Sequence, residues 1–205
     1  VPPALRPQLT PPPRRGSLGA TLTEVSDLQA IIVEGIRPLR RKEYHQLAEL
    51  GAFEDEEVEL LYGVLVPMSP IGPPHCGAVE RLNELFVTQL AGKARVRVQM
   101  PVAASDESEP EPDLVIASRD EDAFLDHPAR PLLVVEVAET SLSKDRGVKA
   151  RLYAECGVPE YWIVNVGQRV LELYSQPVAG DYQSTRVLGP GEIARPEAFP
   201  EVEVP

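Results

Sequence analysis

The chain has 205 residues, 43% of them hydrophobic and 25% charged, which suits one buried core plus an appendage. No apolar run approaches the roughly 18 residues that cross a bilayer, and the start has no charged-then-apolar leader pattern, so a cytoplasmic protein away from membranes is expected. Residues 1–42 carry seven basic and three acidic side chains, while the remainder carries 13 basic and 29 acidic ones, an imbalance that argues against a tight, non-specific nucleic-acid binder and is compatible with a cation-dependent site.

The opening VPPALRPQLTPPPRRGS is proline-rich and lacks apolar periodicity, so residues 1–38 read as a flexible arm and 39–205 as the folded domain. A helix is predicted over RRKEYHQLAEL (40–50), with Tyr44, Leu47 and Leu50 on one face and Gly51 as its stop. VELLYGVLVPM reads as a strand pair turning at Tyr62 and Gly63. After the breakers between Pro70 and Pro74, a helix over 75–91 should bury Val79, Leu82, Phe86 and Leu90.

Strands follow at 94–101, 112–117 and 132–138, the first two separated by the acidic loop SDESEPEP, which reads as solvated. Ser143 is placed to cap a helix running to Cys156, and Gly157 suits its left-handed stop. YWIVNV is the next strand, and alternation there should send either Tyr161 or Trp162 inward. A meander through VLELYS and YQSTRVL closes the pattern of an α/β mixed sheet flanked by helices, with a C-terminal hairpin. Cys76 and Cys156 have neither metal-ligand nor redox spacing and read as reduced thiols.

The stretch PLLVVEVAE carries Glu136 at the centre of an apolar strand. Alternation puts Leu132, Val134, Glu136 and Ala138 on one face, among neighbours that cannot offset a charge. In EPDLVIA, Asp113 sits at the start of a second apolar strand, directly after Pro112. Two carboxylates at neighbouring strand ends repel unless a cation or a shared proton intervenes, and a hard divalent ion such as Mg²⁺ answers that need. Asp145, Lys149 and Tyr153 recur every fourth residue and share a helical face, from which Lys149 could reach Glu136.

PEPDLVIA, LLVVEVAETSLSKDRGVKARLYAECGVPEYWIVN and VELLYGVLVPMSP followed by His75 resemble the Uma-two family. Its members are described as candidate restriction endonucleases with a PD-(D/E)xK nuclease fold. The resemblance spans about 40–204 and is most specific over 132–165. It implies a restriction-endonuclease-like fold and a metal-dependent nuclease acting on nucleic acid, DNA above all. Asp113 and Glu136 would hold Mg²⁺, or Mn²⁺ as a substitute, helped by the backbone carbonyl of Val137, with Glu59 completing the metal shell. The lysine expected two residues after the acid is replaced by Ala138, so Lys149 would supply the ammonium as the third catalytic group.

His75, at a family-like position, and Asp145 and Tyr153, on the helical face of Lys149, are candidate auxiliary residues. Cutting both strands of a duplex needs two centres, which suits a homodimer. The main rival reading is a catalytically inactive nuclease-fold module for protein or nucleic-acid interaction, favoured by the acidic surface and the displaced lysine. A hydrolase for smaller phosphate esters is a third.

Overall fold

The computed structural model describes residue 35, residues 37–120 and residues 126–205. The arm predicted over 1–38 lies, but for Gly35, Arg37 and Pro38, outside the described residues. All the elements belong to the unit Pro38–Pro205.

Helix α1 (Arg41–Glu49) opens where the Arg40 N–H donates to the Glu43 carboxylate at 3.0 Å. Its predicted apolar face does not form: α1 has no fully buried residue and Leu50 is 83% exposed. Tyr44 instead stacks on Phe53 and donates its hydroxyl to the Val58 carbonyl at 3.0 Å. Strands β1 (Val58–Leu61) and β2 (Val64–Pro67) form the expected antiparallel pair. Their turn needs positive φ at Tyr62 and Gly63, and a Cβ on Gly63 would lie 2.3 Å from that of Pro38. Helix α2 (Pro73–Gln89) starts two residues before the predicted His75, because proline tolerates a first turn that needs no N–H bond.

The main sheet has the order β3 (Arg95–Val98), β4 (Leu114–Ala117), β5 (Leu133–Ala138), β6 (Glu160–Asn165), β7 (Val170–Val178) and β8 (Asp181–Leu188). Only β5 and β6 run parallel; all other neighbours are antiparallel. A parallel pair needs a crossover, here supplied by α3 (Leu142–Lys144), a π-helical turn (Asp145–Lys149) and α4 (Ala150–Glu155) in unbroken helical succession.

The sheet separates two cores. Leu133, Val135 and Val137 pack toward α2 with Phe86 and Trp162, while Val134 and Ala138 face Tyr153 and Tyr161 on the crossover side. This is the alternation expected of β5. Both Tyr161 and Trp162 are buried, one on each face, since the strand between them is covered on both sides.

Three local expectations need correction. The crossover helix begins at Leu142 after Ser141, not behind a Ser143 cap, and Ser141 makes no side-chain cap bond because its hydroxyl donates to Asp145. The helix also widens into a π turn, which no propensity foretells. The SDESEPEP loop is not wholly solvated: Ser108 and Glu109 are buried, and Glu109 exchanges backbone bonds with Leu60 on β1. Burial of Glu109 is tolerated because Arg41 and His45 both contact its carboxylate.

Candidate active site

The pairing Leu114↔Val135 ends the β4–β5 ladder, and the register continued by one residue sets Asp113 opposite Glu136. Past the ladder's end the Asp113 side chain takes over: its Oδ2 accepts the Val137 N–H at 2.7 Å. His75 Nε2 on α2 contacts Oδ1 at 2.8 Å, so Asp113 is fixed from two directions. Glu136 Oε1 accepts from both Lys149 Nζ and the Tyr153 hydroxyl, each at 2.9 Å. An ammonium thus reaches Glu136 from the crossover.

Lys149 also reaches Glu59 Oε2 at 3.0 Å, and Lys144 reaches Glu59 Oε1 at 2.8 Å. The Glu111 N–H adds a bond to Oε2 at 3.3 Å. Glu59, expected in the metal shell, therefore has both oxygens engaged by lysines. Asp145 and Lys149 are the buried residues of the π turn and line the same cleft as Glu59, His75, Asp113 and Glu136. The Tyr161 hydroxyl donates to the Asp145 carbonyl at 3.2 Å, bracing that turn from β6. Such turns recur where a helix must re-aim a functional side chain.

Four buried carboxylates, on Glu59, Asp113, Glu136 and Asp145, face the ammonium groups of Lys144 and Lys149. Burial pushes Glu136 up to about 8; Lys149 pulls it down, but Asp145, Asp113 and Glu59 push it further up. Asp113 is also raised, by burial that outweighs its bond from Val137 and the His75 contact. Burial raises Asp145 above the bonds and charges that oppose it. Glu59 goes the other way, because Lys149 and Lys144 overcome its burial. Lys149 is itself raised, its own burial outweighed by Glu136 and Glu59, and stays an ammonium.

A cleft in which carboxyl groups outnumber ammonium groups fits a hard divalent cation. Glu59, Asp113 and Glu136 do not converge on a single point, since Lys149 lies between Glu59 and Glu136. Mg²⁺ commonly takes one or two carboxylates and keeps waters, so an ion in this cleft does not need all three acids to converge. Among the described residues, the trio of ligand-type side chains that does converge, with donor atoms within 4.8 Å of one another, is His45, Glu109 and His127.

The family model Uma2, described as "Putative restriction endonuclease", matches residues 41–205. The chain belongs to the Uma2 family. Its fold resembles the crystal structure of "a putative nuclease belonging to DUF820" from Anabaena variabilis ATCC 29413 with a TM-score of 0.65 and 15% sequence identity. The match covers 82% of this chain and 94% of that one, and at this identity it speaks for the fold. No curated protein matches. The nuclease class is thus supported by family membership, and the α/β architecture by the solved fold. No helix among the described residues is long and apolar enough to cross a membrane.

Sequence reasoning anticipated the meeting of Asp113, Glu136, Lys149 and Tyr153, and the nearness of Glu59 and His75. It missed Lys144, which lies next to Asp145 and not at helical spacing from Lys149. The signal available was electrostatic: so many acids in one place called for a second cation.

Proposed function

We propose that this Uma2 protein is a Mg²⁺-dependent endonuclease that hydrolyses nucleic-acid phosphodiester bonds, with DNA as its main substrate and Mn²⁺ as an acceptable substitute. The observation that carries this reading is Lys149 Nζ at 2.9 Å from Glu136, in a buried cleft where carboxylates outnumber ammonium groups. Lys149 brings an ammonium to Glu136 although the strand itself carries Ala138, and this supports a working centre over an inactive module.

Asp113, Glu136 and the Val137 carbonyl would hold the ion. When bound, the ion would supply Lewis-acid polarisation of a phosphoryl oxygen and a more acidic water. Lys149 is too firmly protonated to serve as a base; its role is to orient the attacking water and offset charge growing on the phosphate. Glu59 acts as the anchor that aims Lys149, with Lys144 satisfying its second oxygen. His75 positions Asp113, and Tyr153 holds Glu136 in the rotamer that faces the cleft. Asp145 adds to the local negative potential and sits on the turn that aims Lys149.

The test is cleavage of single- and double-stranded DNA and RNA with Mg²⁺ or Mn²⁺, using the parent chain, Asp113→Asn and Glu136→Gln. Metal-dependent cleavage by the parent and its loss in both variants is the expected result. Equal activity in all three proteins would overturn the assignment. A parent inert on every substrate would return the inactive-module reading.

A further inference from the structure

We propose that His45, Glu109 and His127 form a second divalent-metal site, selective for a zinc-class transition metal and separate from the acidic cleft. The three side chains come from α1, from the loop stitched to β1 and from the segment preceding β5. Their donor atoms lie within 4.8 Å of one another. His45 Nε2 is 2.8 Å from Glu109 Oε1, a hydrogen-bond distance that a small side-chain shift would open to the roughly 3.3 Å between ligands of a tetrahedral ion with bonds of about 2.0–2.2 Å.

Arg41 Nε holds Glu109 Oε2 at 2.7 Å, and His45 Nε2 lies against both carboxylate oxygens, at 2.8 Å from Oε1 and 3.0 Å from Oε2. Metal-binding carboxylates are commonly steadied by such a hydrogen-bond donor. The other end of Arg41 grips Asp126 Oδ1 at 2.8 Å, and Asp126 accepts the His127 N–H at 2.7 Å, so the same arginine places both Glu109 and His127. Arg97 approaches His127 Nδ1 at 3.4 Å. An arginine can only donate, so that ring nitrogen presents a lone pair, and a bond this long yields easily to an ion. Glu109 is buried whereas His45 is half-exposed, giving the site an anchored floor and an open side for entry and bound water.

Ligand chemistry separates the two sites. Two imidazoles and a carboxylate suit zinc, cobalt, nickel or copper, whereas Mg²⁺ prefers oxygen donors and retains its waters. The ion would take the place of the direct His45–Glu109 contact, with both side chains as its ligands. It would tie α1 and the segment before β5 to Glu109, whose backbone is bonded to Leu60, the residue after Glu59. A metal there would clamp the rear of the strand that aims Lys149.

The experiment uses the full chain stripped by a chelator, saturated with Mg²⁺ and titrated with Zn²⁺ by calorimetry. One equivalent should bind. His45→Gln and His127→Gln should each weaken binding by more than ~10-fold, the lower end of what losing a supporting partner costs. Asp113→Asn and Glu136→Gln should leave it unchanged. Co²⁺ added to the stripped parent should give a visible absorption band that Zn²⁺ abolishes, a readout that needs no variant to fold. Failure to bind Zn²⁺ over Mg²⁺, absence of the Co²⁺ band, or binding lost only with the cleft variants would overturn the proposal. None of these outcomes depends on nuclease activity.

Discussion

Glu136 and Glu172 are both buried glutamates on the central strands, and they live under opposite electrostatic conditions. Glu172 accepts two bonds from Arg146, at 2.9 and 2.6 Å, one from Asn165 at 3.2 Å and one from the Tyr174 hydroxyl at 2.9 Å. The Arg146 hydrogen bonds, ahead of burial, hold it below the usual carboxylate range. Glu136 receives Lys149 and Tyr153 on a single oxygen, shares that lysine with Glu59, and sits near two further acids. One glutamate is matched and the other is left with surplus charge. A matched carboxylate holds a fold together; a surplus one is poised for a cation or a proton.

The deepest break of this contrast should come from Lys149→Met. Its turnover should fall by about 10²–10³-fold, the scale of losing one preorganised charge-stabilising donor. Glu172→Gln should keep activity per folded molecule within about twofold, a spread below the factor of ten that 1.4 kcal/mol represents. Comparable losses in both would dissolve the distinction. Initial-rate cleavage assays, corrected for folded fraction by circular dichroism, make the measurement.

Stability should show the reverse ranking. Glu172→Ala removes the acceptor of several charge-assisted bonds and should cost about 2–3 kcal/mol in urea unfolding. Glu136→Gln in metal-free protein at pH 8 should cost less than about 1 kcal/mol or be stabilising, because it removes a charge that burial disfavours. A larger loss at Glu136 than at Glu172 would count against the surplus-charge account.

pH dependence tests the same point. Glu136 has an ordinary value of 4.5 and stands at about 8 in the folded protein, so between these limits the folded form keeps a proton that the unfolded chain has lost. Its contribution to stability is therefore full at the acid end and disappears as pH rises toward 8. Metal-free protein should melt progressively lower across that window, Glu136→Gln should show a shallower slope, and added Mg²⁺ should flatten the parent's curve. Thermal melts at several pH values would reveal it, and identical slopes in parent and variant would contradict it.

The smallest effect expected is that of Tyr161→Phe. It removes the hydroxyl that braces the Asp145 carbonyl and should cost about 0.5–1.5 kcal/mol, read by urea unfolding. A neutral result would mean that the π turn holds without this brace.

Much of the fold was legible because its signals are local. The apolar stripe of α2, the turn at Tyr62 and Gly63 and the alternation along β5 follow from side-chain period and backbone sterics. The face shared by Lys149 and Tyr153 was legible for the same reason, and both contact one oxygen of Glu136. Less legible were features that depend on a distant partner. Leu47 and Leu50 suggested an apolar face for α1, yet that helix is held by Arg41 and His45 on Glu109, far along the chain. The acidic loop concealed a buried glutamate for the same reason.

By itself the sequence determined that two acids would meet at the ends of neighbouring strands and that a lysine-bearing helix would follow, since register and helical period are properties of short segments. Only the tertiary structure decided which acid each lysine would serve. Lys149 lies between Glu59 and Glu136, Lys144 completes Glu59, and the widened turn at Asp145–Lys149 sets their aim. Charge pairing in a buried site is settled by distances of a few ångströms between remote segments, and such distances exist only once the chain has folded.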